Sequence, residues 1–252
     1  MEKVVEVRYT HLTPTEFRRR QAEAPIAYLP LGTLEWHGEH LPLGADGLQA
    51  SGFFESLARA VGGTVLPMLF LGPDIAQEHE GKPYYGMDIV GFKGQPPQQL
   101  AGSAYHVPDA VFLQMVEHAL KQLRRAGFQI VMAHGHGPSI HRFTENIERW
   151  EEELGLRLFT AWSGDETAVP GIQTDHAAAN ETSLTMFFHP DLVHMEHLDS
   201  DPDVWPTAVA GRDPRLHASA EHGQELVEHH VHRLAALLAK VLKELPERAN
   251  ES

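Results

Sequence analysis

The sequence predicts an α/β fold whose central sheet is parallel or mostly parallel and covered by helices on both faces. Two observations carry this expectation. Short apolar runs alternate with longer segments of helical periodicity, and no internal repeat or low-complexity linker interrupts the alternation. The 252 residues, 42% hydrophobic and 22% charged, fall in the ordinary globular range and suffice for a full core. One domain over residues 1–252 is therefore expected.

Thr13-Pro14-Thr15-Glu16 reads as a helix start, with Thr13 as N-cap, Pro14 at the first helical position and Glu16 completing a capping box. About two turns of helix should follow. Ile26 to Leu31 is short and apolar and stops at Gly32, which suits a buried strand despite Pro30. Leu48, Phe53, Phe54, Leu57 and Val61 recur at helical spacing until Gly62-Gly63, and a second strand is expected over Thr64 to Leu71. The stretch from Gly72 to Val107 is rich in Gly, Pro, Tyr and Gln. A connection that long in a compact fold is usually functional or an oligomer contact, and it is expected to overhang the active site. Val111 to Leu123 marks an amphipathic helix ending at Gly127, followed by the strand Phe128 to Ala133. A helix over about 140–154, a strand Leu156 to Ala161, a helix over about 178–188 and a last helix over about 220–245 complete the alternation.

Composition also excludes functions. A formal net charge of −15 repels a phosphate backbone, and the absence of a Lys/Arg stripe argues against nucleic-acid binding. With no cysteine, thiol nucleophiles, disulfides and thiolate-held metals are ruled out. Any metal must be held by His, Asp and Glu. The N-terminal segment MEKVVEVRYTHLTPTEF lacks the apolar core of a signal peptide and no run reaches membrane-span length, so no membrane association and a cytoplasmic location are expected. Eighteen histidines are an excess that directs attention to metal-ligand spacing.

Three segments have that spacing. After the first strand, Glu35 and His37 lie two apart, so extended backbone points both to one side, and Asp46 returns at the start of the next helix. After the strand Phe128 to Ala133 comes His134-Gly135-His136-Gly137-Pro138-Ser139, whose glycines let the backbone turn sharply and bring a histidine to the same edge. A third segment, Thr174 to Ser183, places His176 before a helix and Glu181 in its first turns. Sheets of this class bind ligands beyond the carboxyl ends of their strands, where the first two segments fall. His40 either orients a ligand or belongs only to its loop. Trp36, Trp162 and the Tyr84-Tyr85 pair either wall a pocket or serve packing.

The stretch Leu31-Gly32-Thr33-Leu34-Glu35-Trp36-His37-Gly38-Glu39-His40-Leu41-Pro42-Leu43-Gly44-Ala45-Asp46 resembles the signature of the creatininase (creatinine amidohydrolase) family. Later blocks agree in order: His134 to Gly137, Asp175-His176-Ala177 with Glu181-Thr182-Ser183, and Gly211 to Arg215 with Ala218 to Gly223. The likeness runs from about residue 26 to 225. It implies a three-layer α/β sandwich, often a homohexamer, with two divalent ions of zinc, manganese or iron. Carried over by position, Glu35 and His136 would hold one ion, His37 the other, and Asp46 would bridge them. Such a pair generates a metal-bound hydroxide at neutral pH and polarises the bond to be cleaved. His176 matches the family's proton donor. The chain departs from the pattern at Pro138, where creatininase carries a glutamate ligand, and Glu181 is the natural substitute. His134 and Ser139 stand where the family has asparagines. These exchanges argue against creatinine as the substrate and leave the metal ligands in place.

The expected function is hydrolysis of a C–N bond in a small cyclic amide, formamide or peptide. Hydrolytic ring opening of a cyclic polyol-derived diketone of the 3-dehydro-inosose type is the alternative, and a metal-binding protein without turnover is the alternative outside enzymes. An amine leaving group needs a proton donor such as His176, whereas an enediolate needs an electrophilic metal or a cationic neighbour. Whether Lys82, Lys93 or Arg142 faces the metals should separate the first two.

Overall fold

The first helix begins as its residues dictate. The Glu16 N–H donates to the Thr13 hydroxyl at 3.4 Å, and the Thr13 N–H donates to the Glu16 carboxylate at 2.9 Å, a reciprocal cap contributing about 1 kcal/mol. In the computed structural model, which describes residues 5–164 and 171–245, this helix α1 spans Pro14–Glu23 and runs nearly a turn longer than expected. The first four residues of the N-terminal segment lie outside the described residues.

β1 (Ile26–Leu31) leads through the Glu35–His37 loop into α2 (Ala45–Val61) and then β2 (Thr64–Val65). A hairpin of β3 (Ala76–His79) and β4 (Lys82–Tyr85) and a short helix α3 (Met87–Val90) follow. Next come α4 (Asp109–Arg125), β5 (Ile130–Gly135), α5 (Gly137–Glu145), α6 (Ile147–Leu154) and β6 (Arg157–Thr160). α7 (Ala179–Phe188), α8 (Pro214–His217) and α9 (Ala220–Glu244) complete the order. The central sheet has the order β2-β1-β5-β6 and every pairing is parallel.

Strand periodicity sorts the side chains into two cores. Ile26, Tyr28, Ile130 and Met132 pack with Phe53, Phe54, Leu184 and Leu234 from α2, α7 and α9. Ala27, Leu29, Leu31, Val131 and Ala133 pack with Phe112, Val116, Phe143 and Trp150 from α4, α5 and α6. Helices therefore cover both faces, the expected three-layer α/β sandwich. Among the described residues no helix is long and apolar enough to cross a membrane.

Two expectations are corrected in detail, and the long connection shows structure that the sequence did not reveal. The strand expected over 64–71 pairs only at Thr64–Val65, because the next rung would need an N–H from Pro30 of β1, which has none. The chain keeps contact through Leu69 N–H to the Pro30 carbonyl at 3.0 Å. Pro30 carries its carbonyl toward this loose edge, so its missing N–H costs β1 no bond to β5. The helix expected over 140–154 is two helices meeting at Asn146, whose side chain donates back to the Arg142 carbonyl at 2.9 Å. The connection 72–107 is not structureless: it folds into the β3–β4 hairpin, turning at Glu80 (φ 50°) and Gly81 (φ 73°), positive values that fit the twist of a tight hairpin.

β1 pairs with β5 from Ile26 opposite Ile130 to Leu31 opposite Gly135. Their carboxyl ends thus lie side by side, and the segments bearing Glu35 and His136 leave the sheet together.

Candidate metal centre

Each acidic and imidazole group of the site is placed by a backbone device. The loop after β1 is closed by the Glu35 N–H donating to the Leu43 carbonyl at 3.0 Å, and Asp46 opens α2. Gly135 ends β5 with φ 133°, where a Cβ would run into the Leu31 carbonyl. That turn brings the His136 N–H within 3.0 Å of the same carbonyl and sets the imidazole at the start of α5. At α7 the Asp175 carboxylate accepts the N–H groups of Asn180 and Glu181, at 2.8 and 3.0 Å. Ala177 turns with φ 52° and donates its N–H to Glu181 Oε2 at 2.8 Å.

These devices bring five side chains together, all buried. His136 Nδ1 lies 3.1 Å from Glu35 Oε1 and 3.2 Å from Asp46 Oδ2. His37 Nε2 lies 3.4 Å from Asp46 Oδ1 and 3.6 Å from Glu181 Oε2. Asp46 therefore gives one oxygen to each side. The other ring nitrogens are occupied: His136 Nε2 contacts the Pro73 carbonyl at 3.1 Å and His37 Nδ1 the Glu35 carbonyl at 3.2 Å. Such carbonyl partners fix ring orientation in metal sites.

Burial disfavours charge on all five groups, and pairing outweighs it at four. Burial pulls His37 down, but Asp46, Glu181 and Glu35 push it up to about 10. His136 is likewise raised well above its ordinary value by Glu35 and Asp46 against burial. Against burial, His136 holds Glu35 below the ordinary range, and His37 with His136 holds Asp46 well below it. Glu181 is the exception: burial, with Asp46 and Asp175 adding to it, holds its carboxyl well above the usual range.

A divalent cation fits this donor set. Glu35, Asp46 and His136 form one group of potential ligands, and His37, Asp46 and Glu181 another, with the ligand atoms of each group within 4.8 Å of one another. His37 Nε2 is buried and has no hydrogen-bond partner. Oxygen and imidazole donors of this kind suit zinc, manganese or iron.

The remaining expected residues surround the cluster. His176 stacks on His37, with centroids 4.3 Å apart and planes at 23°, and its Nε2 contacts the Trp36 carbonyl at 2.7 Å. Burial and the neighbouring His37 lower its pKa. Trp36 supplies that carbonyl while its indole donates to Ala101 O at 2.8 Å and packs with Met87 and Leu100, tying down the long loop. His40 is buried behind His37 and bonds Thr182 Oγ1 at 2.9 Å. His134 lies further back, its ring against Phe53, Phe54 and Trp162. Arg142 lines a cavity of about 330 Å³ with Asp74 and Pro138, but its guanidinium is engaged by Asp109 and Glu145 at 2.8 and 2.9 Å. Lys93 lines a different cavity, with Trp205, and Lys82 is exposed on the hairpin.

The structure adds two residues that spacing did not single out. Asp74 Oδ2 approaches His136 Nε2 at 3.8 Å and His106 Nδ1 at 4.0 Å. Burial and Glu35 push Asp74 up to about 6. Both residues belong to the 72–107 connection, where only the length of the loop signalled a role.

Comparison with known proteins identifies the family and the fold. A family model described as creatininase, creatinine amidohydrolase, matches residues 10–238. Among curated proteins, the chain is 26% identical over 222 residues to a creatinine amidohydrolase of Pseudomonas putida, covering 77% of each. It is 22% identical over 218 residues to a 3-dehydro-scyllo-inosose hydrolase of Thermotoga maritima, a match covering 80% of this chain and 63% of that protein. A solved structure of manganese creatininase superposes with a TM-score of 0.69 at 22% identity, covering 94% of this chain and 98% of that one.

Proposed function

The chain belongs to the creatininase family and is a hydrolase, and from that premise we propose that it works with two divalent cations, cleaving a C–N bond in a small cyclic amide, formamide or peptide. The observation that carries this reading is the division of Asp46. Its Oδ2 joins Glu35 and His136, and its Oδ1 joins His37 and Glu181, so two three-residue ligand groups share one carboxylate. Family membership sets aside the alternative of a carrier without turnover.

Glu35 and His136 would hold one ion, His37 and Glu181 the other, and Asp46 both. When bound, such ions acidify water and polarise the bond under attack. The protein's own groups supply the rest. Three carboxylates against four positive charges leave the site receptive to one further anion, the form a deprotonated water takes. His176 donates its Nε2–H to the Trp36 carbonyl, which leaves the Nδ1 lone pair free to take the proton given up by the attacking water and pass it to a leaving amine. The stack on His37 keeps that ring in place. Glu181 faces His37 and takes the Ala177 N–H, a setting that favours a ligand role over one of orienting His176.

Ring opening of a cyclic polyol-derived diketone is the second reading. It is favoured by Pro138, which stands where creatininase carries a glutamate, and by the likeness to an inosose hydrolase. Arg142 is neutralised by two carboxylates and Lys93 lines another cavity, so in this reading the enediolate would have to be stabilised by the metal rather than by these side chains.

The test is elemental analysis of purified protein followed by hydrolysis assays on lactams, formamides and inosose derivatives. Two equivalents of zinc, manganese or iron, and turnover of an amide lost on chelation, are expected. One equivalent or fewer at saturation would sink the two-ion reading. Turnover of the inosose alone would transfer the assignment to the second reading.

A further inference from the structure

Beside the cluster lies a buried polar pair with three atoms that make no hydrogen bond. Asp74 Oδ2 and both ring nitrogens of His106 have no hydrogen bond. Yet the Asp74 side chain is only 5% exposed and that of His106 only 9%. Buried polar atoms left unpaired cost about 1–3 kcal/mol each, so three in one place call for a ligand that satisfies them. Both residues line a cavity of about 400 Å³ together with Tyr85 and Val107, a size suited to a small molecule.

The pair is held rigidly at the neck of the long connection. The Val107 N–H donates to the Gly72 carbonyl at 3.0 Å and closes the two ends of the loop on each other. Asp74 Oδ1 takes the Ile75 N–H at 2.7 Å, which turns Oδ2 away from its own backbone. His106 is clamped under Tyr85, with ring centroids 5.2 Å apart and planes at 18°. The pair also adjoins the reacting end: a Cβ added at Gly86 would meet both Asp74 Oδ2 and Glu35 Oε2.

We propose that Asp74 and His106 are the substrate-recognition pair of this centre, binding O–H or N–H donors on a small uncharged molecule. The proposal rests on the hydrolytic reading above and names the class of substrate. The carboxylate accepts a donor, and the imidazole, with neither nitrogen hydrogen-bonded, accepts or donates to its neighbour. The charged groups facing the pair are Glu35, Asp88 and Asp109, the last ion-paired with Arg142, with His136 between them and Asp46. The carboxylates on this side of the cluster reward hydrogen-bond donors. A site built this way discriminates strongly against analogues lacking the donor, because its own polar atoms are then left unpaired.

Polyol hydroxyls and the N–H groups of a cyclic ureide share this chemistry, so the test has two arms. Zinc-loaded and zinc-free protein is titrated calorimetrically with myo-inositol and with hydantoin, alongside Asp74→Ala, Asp74→Asn and His106→Phe. Asp74→Asn keeps an acceptor for the Ile75 N–H, and His106→Phe keeps the ring under Tyr85, so both guard against collapse of the loop. Saturable binding of at least one probe is expected, weakened tenfold or more by Asp74→Ala and His106→Phe and less by Asp74→Asn, with zinc content and Tm unchanged. Whichever probe binds identifies the donor. If neither probe binds the wild type in either state, or the variants bind as well as it does, the pair has no recognition role. Zinc lost from Asp74→Ala would make Asp74 a ligand and also overturn the proposal. A wild type that holds no zinc overturns the metal reading alone, since the probe titrations judge the pair in the zinc-free protein as well.

Discussion

Asp46 sits between two imidazoles, and its removal should have an effect different in kind from that of its neighbours. Each of its oxygens belongs to a different ligand group, so Asp46→Ala should lose both ions, whereas Glu35→Ala or His37→Ala should lose mainly one. Glu181→Gln should weaken the ion held with His37 selectively, because that group otherwise keeps only two protein ligands and firm catalytic sites usually have three. Metal stoichiometry of the four variants decides this, and a full complement in Asp46→Ala would disprove the bridge. His134 makes a separate prediction about pH. Burial among aromatic rings holds its pKa down to about 3, against about 6.5 in an unfolded chain. Above pH 6.5 both states are neutral and the residue is silent. As pH falls from 6.5 toward 3 the unfolded chain takes a proton that the folded state refuses, so stability drops with falling pH. Between pH 7.5 and 5 this amounts to about 2 kcal/mol. Thermal melts of His134→Leu should therefore gain on the wild type by that amount over the interval, and a pH-independent difference would contradict the assignment.

Among the elements, the strand-to-helix turn at Gly135 is where the fold makes the site. Its φ of 133° and the Leu31 carbonyl in the path of any Cβ mean that Gly135→Ala should cost roughly 2 kcal/mol or more in backbone strain. His136 should shift with it. A lowered Tm together with loss of the Glu35–His136 ion is expected, and a variant with normal melting and full metal would show that the turn tolerates a side chain. This turn was legible in the sequence because His-Gly-His-Gly after an apolar run has few other uses. Helical periodicity made α2 and α4 legible, and unbroken apolar runs made the buried strands so. What escaped was decided by tertiary contacts. The break at Asn146 depends on one side chain reaching the Arg142 carbonyl, and the shortened β2 depends on where an edge strand stops finding partners. Asp74 and His106 stand 32 positions apart in a loop with no period, and only the closure of Val107 on Gly72 brings them together.

At the scale of the whole molecule, the 72–107 connection and its approaches leave apolar side chains exposed that a lone subunit would be expected to cover. Phe70 is 43% exposed, Ile75 58%, Val90 55% and Tyr105 55%. Single exposed apolar residues are ordinary, but several drawn from one 36-residue stretch indicate a surface that meets another. The same connection carries Asp74, Tyr85 and His106, so covering its outer face would also shield the cavity beside the cluster from solvent. Because closed symmetric assemblies are the usual outcome for soluble chains, we expect a homo-oligomer that uses this surface, and the family resemblance favours a hexamer. An acidic chain of net charge −15 adds self-repulsion on assembly, so association should strengthen as salt screens it. Sedimentation at low and moderate salt should show a species several times the 28.1 kDa of one chain. Ile75→Glu with Tyr105→Glu should shift it toward the single chain while zinc binding at the buried cluster persists. A wild type that sediments as one chain at micromolar concentration in both salts would overturn the assembly, and an assembly indifferent to the two substitutions would place the interface elsewhere.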